Sequence, residues 1–193
     1  MKHIFIKACC IFALLTALLS SCGKAEFEYN SPHQCYFIFR NDIHQNALMA
    51  TALTPNSNIF IKISKGTEVV QGKPINFVYL STSDKQPTGK VAITTDVENY
   101  QTYELGASNG IIVGYNVFDQ KFVAFDAQCR NCYTALTSCP LSWTNNTSEV
   151  KCAKCGRTYS LYNGNVSSGE GGDRLWEYRV SCTSQYGVLT VVK

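Results

Sequence analysis

Apolar and polar residues alternate with a period of two along most of the chain, as in strands with one buried face. Runs rich in Val, Ile, Phe, Tyr and Thr recur at 35–40, 58–64, 75–81, 90–95, 101–105, 110–118, 121–126, 149–152, 158–162, 174–182 and 187–192. Gly, Asn, Asp and Pro separate them. In the run 174–182, Trp176, Tyr178 and Val180 share one face. Residues 118–121 and the pair Tyr186-Gly187 have the composition of hairpin turns. The pattern predicts an all-β domain of many short antiparallel strands without internal repeats. One segment departs from it: Ile43, Ala47 and Ala50 fall on one side of a short helix predicted over 43–53. The longest gap between predicted strands covers residues 127–148 and holds two cysteines. A loop of that length inside a compact domain is usually functional.

The first 34 residues follow different rules. Lys2, His3 and Lys7 form a positive start, and 11–19 is an apolar stretch. That stretch is far shorter than the roughly 20 residues that span a bilayer. Leu19-Ser-Ser-Cys22-Gly then looks like a bacterial lipobox. This predicts a signal peptide over 1–21, removed on export, and a lipid-carrying Cys22 at the new N-terminus. Gly23 rather than Asp follows Cys22, which points to the outer membrane. Membrane contact is expected through the anchor on Cys22, because no later apolar run approaches spanning length. Residues 22–34 are polar, contain Pro32, and read as a lipidated tether to a domain over 35–193.

Charge and cysteine count narrow the chemistry. The formal charge of +3 includes Lys2 and Lys7. Without them, 15 basic residues face 14 acidic ones. Such a balance is no footprint for nucleic acid. Of ten cysteines, Cys9 and Cys10 lie in the signal and Cys22 carries lipid. Cys35, Cys129, Cys132, Cys139, Cys152, Cys155 and Cys182 remain, in an exported location that permits disulfides.

Four of these form two Cys-x-x-Cys pairs, Cys129-Arg-Asn-Cys132 and Cys152-Ala-Lys-Cys155, with 19 residues between them. Two tight loops of this kind offer four thiolates to one tetrahedral metal centre. Disulfides within or between the pairs, and a redox-active dithiol, are the other readings of the same residues. The thioredoxin-type dithiol normally accompanies a βαβ pattern, which is missing here. Gly156 after the second pair lets the chain turn so that backbone N–H groups point at sulfur. Arg130, Lys151, Lys154 and Arg157 lie within two residues of a motif cysteine. Each could offset the double negative charge that four thiolates leave on a zinc ion or on an oxidised two-iron cluster. The spacing itself favours zinc or mononuclear iron. Cys35, Cys139 and Cys182 have no partner at ligand spacing. A Cys139–Cys182 disulfide is one pairing the count allows.

Residues 110–193 resemble a Rieske domain. The resemblance rests on Gly110-Ile-Ile-Val-Gly-Tyr115, Phe122-Val-Ala-Phe-Asp126, Cys139-Pro-Leu141, and Val150-Lys-Cys152-Ala-Lys-Cys155-Gly156 with Tyr159. It continues through Asn163-Gly164, Ser168-Gly169, Leu175-Trp-Glu-Tyr178 and Gly187-Val-Leu-Thr-Val191. The chain is similar to the Rieske-like lipoproteins of Bacteroidetes type. The resemblance implies a β-sandwich or barrel carrying a small two-loop subdomain, here about 127–157. In the family each loop gives one Cys and one His to a two-iron, two-sulfide cluster. Cys129 and Cys152 match the Cys ligands, and Cys132 and Cys155 stand where the His ligands belong. The first loop has one residue more between its ligands than the family. The Pro-containing loop that covers the cluster is replaced by Gly169-Glu-Gly-Gly172. Arg157 stands where the family has a Ser. These changes lead toward rubredoxin or zinc-ribbon geometry.

Two functions follow from the metal reading: a structural zinc centre in a domain that binds an envelope partner, or an electron carrier of low potential with a redox partner. A metal-free, disulfide-stapled β-domain that binds protein or ligand is the alternative. No enzyme is expected. A mononuclear oxygenase iron needs two His and a carboxylate, and no His follows His44. His33 and His44 read as surface residues. Trp143, inside the cysteine loop, reads as a core anchor or as a shield for the centre.

Overall fold

The computed structural model describes residue 29 and residues 31–84, 88–99 and 101–193. The signal segment, the lipobox and Cys22 lie outside the described residues. The elements in chain order begin with β1 (Cys35–Arg40), α1 (Asn41–His44), α2 (Ala47–Ala52), β2 (Phe60–Val70), β3 (Lys73–Thr82), β4 (Gly89–Ala92), α3 (Asp96–Asn99) and β5 (Glu104–Leu105). A short 3-10 turn then leads into β6 (Gly110–Asn116), β7 (Lys121–Asp126), β8 (Leu141–Trp143), β9 (Glu149–Cys152), β10 (Thr158–Ser160), β11 (Val166–Ser168), β12 (Glu177–Cys182) and β13 (Val188–Val192).

Nine strands form one sheet in the order β4-β3-β2-β6-β7-β12-β13-β1-β5, and β11-β10-β9-β8 form a second. Neighbours are antiparallel throughout. The large sheet folds over on itself. Phe37 and Phe39 of β1 share one core with Ile61 and Ile63 of β2, although four strands lie between them. Strand β12 makes the corner: Glu177 and Tyr178 pair with β7, and Arg179–Cys182 pair with β13.

Strands β6 and β7 are covered on both faces. Ile111, Val113 and Ala124 belong to the folded-over core. The opposite-facing Ile112, Val123 and Phe125 belong to a second core shared with the small sheet. Each large apolar side chain buried there stabilises the join by about 1.5–3 kcal/mol. Gly114 permits the close approach of Phe60, whose Cδ1 would stand 2.3 Å from a Cβ at that position. The two-loop subdomain is thereby seated on the outside of β6 and β7.

The structure corrects several readings of the pattern. Residues 43–53 form two short helices rather than one. Gln45 takes a left-handed conformation (φ 48°) between them, and the Asn46 side chain caps the second by accepting from the Met49 N–H. Met49, Ala52 and Leu53 are buried, and Ile43 is exposed. The gap at 127–148 contains β8, too short for alternation to reveal. The hairpin of β2 and β3 runs on to a tight turn at Gln71 and Gly72, both with positive φ. Neither His33 nor His44 is a surface residue. The His44 side chain is 8% exposed and meets buried Glu98 at 3.0 Å, and His33 is half-buried against Trp176. Cys139 sits in the second core and Cys182 at the edge of the first, and both are free thiols, so the allowed disulfide does not form.

Candidate metal centre

Two hairpin-like turns bring the four cysteines together. Strand β9 ends at Cys152, and the chain returns as β10 after one tight knuckle. The Gly156 N–H donates to the Cys152 carbonyl at 2.9 Å, and the Cys152 N–H donates to the Arg157 carbonyl at 2.9 Å. Gly156 has φ +73° with open space around it, as the sequence reading expects of a turn behind a thiolate. The first knuckle is built the same way. The Cys132 and Tyr133 N–H groups donate to the Cys129 carbonyl at 3.0 and 2.9 Å. It has no hairpin of its own. Instead the Cys129 N–H donates to the Cys139 carbonyl, and the Leu141 N–H to the Ala127 carbonyl, both at 2.9 Å. Leu141 then pairs with Cys152 across β8 and β9. That register sets both knuckles at one end of the small sheet.

The outcome is a tight cluster. The sulfur atoms of Cys129, Cys132, Cys152 and Cys155 all lie within 4.8 Å of one another. Cys129 Sγ and Cys155 Sγ are 3.8 Å apart. A tetrahedral ion with metal–sulfur bonds of about 2.3 Å sets its ligand atoms about 3.8 Å apart. A disulfide would need about 2.05 Å, and all seven described cysteines are free. Cys129 and Cys152 are buried, while Cys132 and Cys155 are half-buried, so one edge of the cluster meets solvent.

Electrostatics separate the four thiols. Burial pushes the Cys129 thiol up to about 11, further raised by neighbouring Cys152 and Cys155. Burial and the adjacent thiols Cys155 and Cys129 also raise Cys132. At Cys155 burial acts the same way, but the Arg157 N–H, the Arg157 guanidinium and donation from nearby thiols outweigh it and bring it down to about 6. The Cys155 thiolate is thus favoured at neutral pH, while Cys129 and Cys132 are held protonated. A divalent cation at the centre would supply the charge that lets all four ionise.

Three side chains surround the sulfurs, and of these the sequence offered Arg157 as a charge partner. The Tyr159 hydroxyl lies 3.1 Å from Cys129 Sγ and accepts from Asn131 Nδ2 at 3.0 Å, leaving its own proton for the sulfur. Asn131 also donates to the Asp173 carbonyl and accepts from the Asp173 N–H, at 2.8 and 3.0 Å. Arg157 donates to the carbonyls of Glu170 and Gly171 and to the Glu170 carboxylate. The glycine-rich loop therefore lies against both knuckles. A Cβ on Gly172 would stand 2.5 Å from Asn131 Oδ1. Tyr159 was visible only as part of the resemblance, and Asn131 only as a spacer residue. Of the four basic residues near the motifs, Arg157 is the one that favours the Cys155 thiolate. Arg130 faces Asp173 at 3.5 Å, and Lys151 and Lys154 are exposed. Trp143 is an anchor: its Nε1 donates to Ser81 Oγ at 3.0 Å, and the Lys62 ammonium stands 5.3 Å from its ring.

No protein-family model matches the chain, and no curated protein matches it. Among the described residues, no helix is long and apolar enough to cross a membrane.

Proposed function

We propose that the chain is an outer-membrane lipoprotein, anchored through Cys22, whose Rieske-like domain holds one metal ion on Cys129, Cys132, Cys152 and Cys155. The observation that carries the metal reading is the mutual approach of the four sulfurs to within 4.8 Å. Four thiolates on one ion stand at this distance, whereas a two-iron cluster shares its four cysteines between two irons. The set is soft, four-coordinate and without an open position, which suits zinc or a single iron and leaves no place for a substrate. The ion would join the two loops directly, and its binding energy would be folding energy for 127–157.

The Rieske-like part of the proposal draws support from a small antiparallel sheet that carries both loops on a larger β body. An iron-based electron carrier with a redox partner in the envelope is the second reading. The half-buried edge of Cys132 and Cys155 favours it, because an electron must enter and leave near the surface. Metal analysis and a visible spectrum of protein purified without oxygen separate the two. About one zinc per chain and no colour supports the structural centre, and iron with thiolate absorption supports the carrier. Metal-free protein with the four cysteines oxidised in pairs overturns both and leaves a disulfide-stapled binding domain. Fractionation of Cys22→Ala tests the anchor: the variant should leave the membrane fraction, and its retention there refutes the lipobox.

A further inference from the structure

The end of the segment read as a tether is fastened to the first knuckle. Ser31 is 3% exposed. Its hydroxyl donates to the Tyr178 hydroxyl at 3.0 Å, and it accepts from the His33 N–H at 3.1 Å. Tyr178 donates to Asp126 Oδ2 at 2.8 Å, and Asp126 Oδ1 accepts from the Gln128 N–H at 2.8 Å. Gln128 Oε1 in turn accepts from the Cys139 N–H at 2.7 Å, and the Cys139 carbonyl holds the N–H of Cys129. This chain of hydrogen bonds runs from residue 31 to a metal-site cysteine through buried groups.

A second connection runs through rings. His33 stands edge-on to Tyr133 at 5.2 Å and to Trp176 at 4.5 Å, and Tyr133 and Trp176 meet at 5.7 Å. Tyr133 directly follows Cys132 and is the residue whose N–H closes the first knuckle. Its hydroxyl donates to the Ala107 carbonyl at 2.9 Å. One of the two rings that flank Tyr133 therefore comes from residue 33, and it packs on the other.

We infer that residues 31–34 are a strap that keeps the first knuckle in its metal-holding shape, with His33 as the positioning residue. The inference rests on the single-ion reading above. His33 touches no sulfur; it acts through Tyr133, and Ser31 through Asp126 and Gln128. Without the strap the Cys129–Cys132 turn keeps its own backbone bonds but loses the wedge that limits its motion. Positioning groups of this kind typically change metal retention by about 10-fold or more.

The test uses the full mature chain loaded with zinc, and compares wild type, His33→Ala and His33→Phe. Two quantities are read: zinc transfer to a chromophoric chelator, and hydrogen exchange at the amides of Cys132 and Tyr133. His33→Ala should release zinc about 10-fold faster and expose those two amides, while the amides of β2 keep their protection. His33→Phe retains a ring at the wedge and should restore most of both. Wild-type release and exchange in His33→Ala would overturn the strap. So would faster release accompanied by an equal loss of protection in β2, since that marks general destabilisation. If the wild type takes up no zinc, the metal reading fails on its own, and exchange decides the strap. Faster exchange at Cys132 and Tyr133 in His33→Ala upholds it, and unchanged exchange ends it.

Discussion

The two knuckles present the same four-residue motif and are held in opposite ways. The second, Cys152 to Gly156, is made by its own hairpin. Strands β9 and β10 pair through Lys151 and Thr158, and a glycine with φ +73° and empty space around it closes the turn. The first, Cys129 to Tyr133, is held by distant parts of the chain. His33, Ala107, Cys139, Asp173 and Trp176 all touch it. Where the second knuckle uses a residue with no side chain, the first uses a tyrosine clamped through its ring and hydroxyl. One half of the site is encoded locally and the other by tertiary contacts. The local half should form early and survive disturbance, and the other half should fail first.

The largest effect should come from removing a ligand. Cys152→Ser or Cys129→Ser should reduce bound metal from about one ion per chain to near none, read by elemental analysis. Limited proteolysis should then cut near Lys151 and Lys154, while the core around Phe37, Phe39 and Ile61 persists. The comparison sharpens if Cys152→Ser leaves the first knuckle more exchangeable than Cys129→Ser leaves the second. It breaks if the two variants are equivalent.

Arg157→Gln should come next. It removes the guanidinium that favours the Cys155 thiolate and the donors that hold Glu170 and Gly171. Metal affinity should fall by about 10-fold, measured by chelator competition, with little change in thermal unfolding of the apo chain.

The metal-free protein should show the difference between the knuckles in its pH behaviour. The Cys155 thiol lies below its ordinary value, at about 6. Its contribution to stability is complete above the free-thiol pKa and disappears as pH falls through about 6. Cys129 has the opposite sign. Burial favours its neutral form, so its contribution is present below the free-thiol pKa and is lost as pH rises through about 11. Alkylation of the apo protein at pH 7 should therefore label Cys155 first and well ahead of Cys129, as mass mapping would report.

Gly156→Ala should have a smaller effect. A left-handed alanine costs about 1–2 kcal/mol, and no neighbour obstructs the added methyl. The second knuckle should loosen without collapse, seen as faster exchange at Cys155 and Gly156. The smallest effect belongs to Cys182→Ala, at the margin of the other core. Metal content should stay unchanged, and a loss would contradict the assignment of the four ligands.

Alternation carried the strands of the large sheet with few errors, because a two-residue period is imposed wherever one face is buried. The run at 35–40 and the run at 121–126 match β1 and β7 residue for residue. It failed on the three-residue strands β8 and β11, while the equally short β10 showed because its apolar run continues to residue 162. It also failed at 43–53, where the left-handed Gln45 and the cap on Asn46 override helical spacing. The cysteines were legible because a tetrahedral site needs its ligands in closely spaced pairs, and that spacing survives in the linear chain.

What stayed hidden depends on pieces far apart in sequence. Nothing local joins Tyr159 to Cys129, or His33 to Tyr133; those contacts exist because the small sheet packs on β6 and β7 and residues 31–33 pack against Tyr133, Trp176 and Tyr178. The sequence by itself determined the strand content, the two Cys-x-x-Cys turns and the glycine that closes the second, since each follows from short-range sterics and spacing. Only the tertiary structure decided that the four sulfurs converge within 4.8 Å. It also decided that Arg157, rather than its basic neighbours, favours a thiolate, and that His33 and His44 are packed rather than solvated. Convergence, burial and charge compensation are properties of the folded surroundings, which no local pattern contains.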